Sequence, residues 1–188
     1  ALAEQERALA KDGAYGPARY ERGVLLWRAY QARLRDRERA FWRELGQRLA
    51  RAGGGEVQPG AALRPPARAE LEDDAARELK RRAAADFGAS DRPCATGLRA
   101  LAEGRLQEAR SLLEQAVEQE PAAEEAYETL AAAAQETEGP QAAEAWFTRG
   151  IGCDRGYGPH RVGRAGARCV AAAQAENSGG DPAAGYGG

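Results

Sequence analysis

This 188-residue sequence predicts an all-α fold, a short solenoid of antiparallel helix hairpins, and three observations carry that prediction. The first is composition. Ala accounts for 44 residues, whereas Leu, Ile, Val and Phe together number only 25, so the apolar volume suits closely packed helices better than a thick β core. The second is a repeat of 34 residues, in which Gly97 recurs as Ala131, Ala109 as Ala143, Leu113 as Phe147, Ala116 as Gly150 and Val117 as Ile151. Small residues fall on small and large on large. The third is punctuation: Gly104, Pro121 and Gly139-Pro140 separate the apolar stretches, where a helix must stop and the chain turn back. So few branched apolar side chains would suggest disorder in a highly charged chain, but 27 basic against 29 acidic residues leave a net charge of only −2.

Residues 1–52 read as degenerate repeat helices. Residues 1–12 close a helix, and Asp12-Gly13-Ala14-Tyr15-Gly16-Pro17 makes a turn with Pro in the first turn of the next helix, a pattern echoed at Asp154-Arg155-Gly156-Tyr157-Gly158-Pro159. Arg19 to Arg51 then reads as a helix pair or as one long helix, with Leu26, Tyr30, Leu34, Phe41, Leu45 and Leu49 along one side. Residues 53–66 are Gly- and Pro-rich and read as a linker. Residues 67–88 read as one long helix ended by Gly88. Residues 89–157 hold the two repeats, as hairpins over 91–120 and 124–152. Within the first, Leu106, Ala109, Leu112, Leu113, Ala116 and Val117 form an apolar stripe at helical spacing. Residues 158–176 read as a terminal helix and 177–188 as a disordered tail. Incomplete repeats at both ends, the opening Ala-Leu-Ala and the lack of any Met are what a window cut from a longer solenoid would show.

Several function classes fall away on residue chemistry. No apolar run approaches the roughly 18 residues of a membrane span. Three Cys (Cys94, Cys153, Cys169) are odd in number and lack CxxC spacing, which predicts neither a disulfide framework nor a zinc site but a reducing, cytoplasmic setting. Asp86-Phe87-Gly88 spells the metal-binding tripeptide of protein kinases, yet the His-Arg-Asp loop, the phosphate loop and the strand Lys that such chemistry requires are missing, and the sole His, His160, lies downstream. The tripeptide reads instead as a helix end, with Phe87 turned inward and Gly88 as cap. No catalytic residue, cofactor or metal ligand is expected, and the segment is not expected to be an enzyme.

Charge is distributed unevenly. From Arg28 to Arg51 eight Arg face three acidic residues, net +5, whereas from Glu103 to Glu144 eleven Glu face Arg105 and Arg110, net −9. Solvated helix faces with Glu and Arg paired one turn apart account for this pattern. The alternative is that helix 28–51 binds nucleic acid or an acidic partner, with Tyr30, Phe41 and Trp42 available to stack. Those aromatics lie beside the apolar stripe, which favours their burial and makes nucleic acid the weaker choice.

The run from Thr96-Gly97-Leu98 through Ala102-Glu103-Gly104-Arg105-Leu106 to Ala109, followed by Leu113, Ala116 and Pro121, resembles the tetratricopeptide repeat, over about residues 90 to 157. The resemblance implies pairs of antiparallel helices whose first members line a concave groove for a peptide or protein segment, and so a scaffold or docking role. By position, the groove candidates it implies are Asp91, Cys94, Leu98 and Leu101 in one repeat and Glu125, Glu128, Ala132 and Gln135 in the next. The clamp some members use for C-terminal carboxylates needs Lys, Asn and Arg where this chain has Cys94, Leu98, Glu128 and Ala132, so a basic amphipathic segment is the better expected partner. More widely, Ala18-Arg19-Tyr20-Glu21-Arg22-Gly23, the Gly104 to Ala116 repeat, and Asp154 to Gly163 with Gly180-Asp181-Pro182 resemble the repeat region that follows the catalytic domain in large bacterial serine/threonine kinases. That resemblance implies a regulatory docking array.

Overall fold

The computed structural model describes residues 2–51 and 66–153, so the expectations for the linker, the 158–176 helix, the tail and the second Asp-x-x-Tyr-Gly-Pro turn lie outside the described residues. Among these residues there are eight α-helices and no strand. They form two units, divided between Ser90 and Asp91.

The first unit contains α1 (Leu2–Lys11), α2 (Gly16–Arg51), α3 (Arg68–Leu71) and α4 (Asp74–Gly88). Between α1 and α2 the Asp12 carboxylate accepts from Ala14 N at 3.0 Å and Tyr15 N donates to Asp12 O at 3.1 Å, the turn the sequence predicts, with Pro17 in the first turn of α2. Of the two readings left open for 19–51, the single helix holds: α2 spans 36 residues. Ala18, Tyr20, Val24, Leu26, Trp27, Tyr30 and Leu34 are buried along it, facing Ala76, Ala83 and Phe87 of α4 in the same core. The approach is close at Gly23, where an added Cβ would lie 2.8 Å from Phe87 Cε1.

Ion pairs fix the direction of that packing. Arg22 reaches both carboxylate oxygens of Asp86 at 2.7 and 2.6 Å, and Arg33 reaches both of Asp73 at 2.8 and 2.6 Å. As α2 advances its partners on α4 retreat, so the two helices run antiparallel. The Asp86 side chain is only 3% exposed and bidentate to Arg22, a part-buried pair that ties α2 to α4. Phe87 is turned inward as predicted, but Gly88 is the last residue of α4 and does not cap it in a left-handed conformation.

The single helix expected over 67–88 is instead two. Glu72 and Asp73 interrupt it, and Asp73 becomes the N-cap of α4 by accepting from Ala76 N at 2.9 Å. The cause lies across the chain. Arg33 and Arg37 hold the Asp73 carboxylate, while Tyr30 donates to Glu72 and Lys80 Nζ sits 2.9 Å from the same Glu72 oxygen. Burial alone would raise the Glu72 carboxyl; the bonds from Tyr30 and Lys80 outweigh it and hold that group below its ordinary value. Pulling both acids onto α2 leaves their backbone extended.

The second unit contains α5 (Pro93–Ala102), α6 (Leu106–Gln119), α7 (Glu124–Thr137) and α8 (Pro140–Cys153). Its dominant pairings are α5 with α6 and α7 with α8, two hairpins joined through α6 and α7. Helices α6 and α8 start and stop 34 residues apart, in the register the sequence predicts.

Candidate functional site

The hairpins rest on two turns that need glycine. Gly104 has φ +83°; its N–H donates to Leu101 O at 3.0 Å and Arg105 N donates to Ala100 O at 2.9 Å, so two carbonyls at the end of α5 are satisfied at once. Gly139 has φ +97°, but Pro140 follows and has no N–H to give. There Gly139 N and Glu138 N both reach Ala134 O, at 3.0 and 2.8 Å.

Packing within each hairpin follows the period. Ala109, Leu113, Ala116 and Val117 of α6 are buried, as are their counterparts Ala143 and Gly150 of α8. Phe147, the counterpart of Leu113, packs with Trp146 against buried Ala131 and Ala143. Leu106, the first residue of the apolar stripe and of α6, is 59% exposed. Tyr127 is buried with its ring 6.4 Å from Trp146, and its hydroxyl lies 3.3 Å from Cys153 Sγ. Burial, aided by that contact, pushes the Tyr127 phenol up to about 12.

The acidic character of this unit is largely absorbed by arginines that tie one element to the next. Arg110 bonds Glu114 within α6 and Glu138 at the end of α7; Arg149 of α8 reaches Glu118 of α6 at 2.5 Å; Arg92 bonds Glu120 across the first hairpin. At the first turn the guanidinium groups of Arg99 and Arg105 hold the Glu103 carboxyl below the usual range.

Of the groove candidates, 94 with 128, 98 with 132 and 101 with 135 occupy equivalent positions in the two first helices, whereas Asp91, the counterpart of Glu125 by the period, lies two residues before α5 begins; the structure also treats the two sets differently. On α7, Glu125 and Glu128 are half-buried and Ala132 and Gln135 exposed. Their spacing puts all four on one face. On the α5 side, Asp91 is exposed and Leu101 half-buried, but Cys94 and Leu98 are 0% and 1% exposed. These two belong to the core and not to an open surface. The reason is the composition of α5, where Ala95, Gly97, Ala100 and Ala102 are buried as well, so the helix is apolar and enclosed around most of its circumference.

What remains at the surface offers three carboxylates, an amide, a methyl and the Leu101 side chain. Leu106 adds an exposed apolar side chain that the sequence reading did not count among the site residues. Its position next to the Gly104 turn was the available signal. Among the described residues no group of His, Cys, Asp and Glu is arranged to hold a metal ion, and no helix is long and apolar enough to cross a membrane. No curated protein and no solved structure matches the chain. Residues 100–160, which take in the end of α5 and all of α6, α7 and α8, match the tetratricopeptide repeat, a repeat whose general role is protein–protein interaction.

Proposed function

We propose that the repeat pair is a protein-interaction module that takes up a peptide or protein segment along Asp91, just before α5, and Leu101 of one hairpin and Glu125, Glu128, Ala132 and Gln135 of the next. The observation that carries this reading is the face of α7, where Glu125, Glu128, Ala132 and Gln135 lie at one-turn spacing and none of them is buried; the tetratricopeptide resemblance implies ligand contacts at these positions. A basic amphipathic segment suits it best. Leu101 and Ala132 would meet its apolar residues, and the carboxylates would set its orientation and association rate more than its affinity, since exposed ion pairs are worth only about 0 to 1 kcal/mol each. The motif resemblance to kinase-associated repeats supports placing such an array beside the catalytic domain of a bacterial cytoplasmic kinase, as its docking region.

Anisotropy titration of the full chain with a labelled Lys/Leu amphipathic peptide tests the binding reading. Ala132→Arg, on the exposed face, is expected to weaken binding about tenfold without moving the melting curve, whereas Glu125→Gln with Glu128→Gln should matter chiefly at low salt. Binding indifferent to all three substitutions would overturn it.

A further inference from the structure

Helix α2 continues past its core. No residue from 35 to 51 is buried, a length of about 25 Å at the usual helical rise. Over this stretch Phe41, Trp42, Leu45 and Leu49 lie at helical spacing on the face that carries Trp27, Tyr30 and Leu34 lower down. Lower down, α3 and α4 cover that face. Higher up, Phe41 is 37% exposed, stacked edge-on against Trp42 with ring centroids 5.2 Å apart.

The edges of this stripe are basic. Arg35 and Arg39 follow one side, Arg37 and Arg48 the other. Arg37, Arg39 and Arg48 have carboxylate partners at Asp73, Asp36 and Glu44, but the last two pairs are mostly exposed, and Arg35 has no carboxylate partner among the described residues. One acid, Glu38, lies half-buried within the stripe itself.

We propose that residues 35–51 of α2 dock an amphipathic helix of an acidic protein partner, laid along the stripe as a continuation of the way α4 lies on the same face. The partner would present apolar residues to Phe41, Trp42, Leu45 and Leu49, and Asp or Glu on both flanks to the arginines, the arrangement by which charged edges select a helical partner. Three other occupants fit less well. A second copy of this helix would set Arg against Arg. A nucleic acid would meet an aromatic stripe between its two rows of phosphate-binding groups. An anionic bilayer would have to take the Glu38 carboxylate into the acyl boundary, whereas an opposing helix can supply a basic or amide group there.

The test uses the full chain and a labelled designed helical peptide with Leu along one face and Glu on both flanks. It should bind, and the same peptide with Gln in place of Glu should bind at least about tenfold more weakly at low salt. Phe41→Ser with Leu45→Ser should reduce binding of the Glu peptide at least about tenfold. Arg35→Glu with Arg48→Glu, one on each flank, should reduce it comparably at low salt and less at high salt. Melting curves of these variants should stay close to the parent, since no residue of this stretch is part of the core. Binding of the Glu peptide that ignores the four substitutions overturns the proposal. So does sedimentation showing a dimer that Phe41→Ser dissociates, or tighter binding of duplex DNA or phosphatidylserine vesicles that depends on the same residues.

Discussion

A Cβ added to Gly97 of α5 would lie 2.6 Å from Leu113 Cγ and 3.1 Å from the Leu113 backbone nitrogen on α6, so the two helices cross with a bare Cα against a leucine branch point. Neither atom is the free end of a flexible chain, and the neighbour cannot slide away. At the equivalent place in the next hairpin the residues are Ala131 and Phe147, and there a methyl belongs between the helices. Gly97→Ala should therefore destabilise the protein by about 1 to 3 kcal/mol through overpacking, although Ala is the better helix former by about 1 kcal/mol. Leu113→Ala should cost about 2 to 5 kcal/mol through lost burial and the cavity left behind. Because one change fills space that the other opens, the double variant should melt above the additive expectation. Additive losses would mean the two residues do not share that space.

Leu98 separates a binding role from a structural one. At 1% exposure, Leu98→Ala should lower stability by about 2 to 5 kcal/mol, measurable by denaturant melts, whereas Leu101→Ala, at a half-buried position, should cost less. Equal and small losses would return Leu98 to the surface.

The Arg22–Asp86 pair gives an asymmetric expectation. Removing the arginine alone, as Arg22→Met, strands a carboxylate whose side chain is 3% exposed and should cost about 3 to 5 kcal/mol. Replacing both partners with apolar residues of similar size should recover much of that loss. A double variant no more stable than Arg22→Met would show that packing, not the uncompensated charge, is the issue.

Asp73 should make the first unit acid-sensitive. Hydrogen bonds from Arg33 and from the Ala76 N–H hold its carboxyl well below the usual carboxylate range. The native state therefore binds fewer protons than the unfolded chain as pH falls. The stabilisation is full above the ordinary Asp value of about 4 and is lost progressively below it. Melting temperature should drop on acidification through that window, and less so in Asp73→Asn, which keeps a capping oxygen but no titrating charge. Parallel pH profiles for the two proteins would assign the acid sensitivity elsewhere.

The sequence by itself determined the helices of the second unit. A 34-residue period fixes where α6 and α8 lie because the small and large residues of each must mesh with a helix at the same offset, and Gly104, Pro121 and Gly139-Pro140 end helices through backbone geometry that needs no distant contact. What only the tertiary structure decided were matters of neighbours. Glu72 and Asp73 break an otherwise continuous helical pattern because Tyr30, Arg33 and Arg37, some forty residues earlier, bond their carboxylates. Cys94 and Leu98 share a register with Glu128 and Ala132 yet are enclosed, because periodicity tells which face a residue occupies and only the packed chain determines whether that face is covered. In α2 the apolar stripe runs from Leu26 to Leu49 in the sequence, interrupted at Glu38, and burial stops at Leu34.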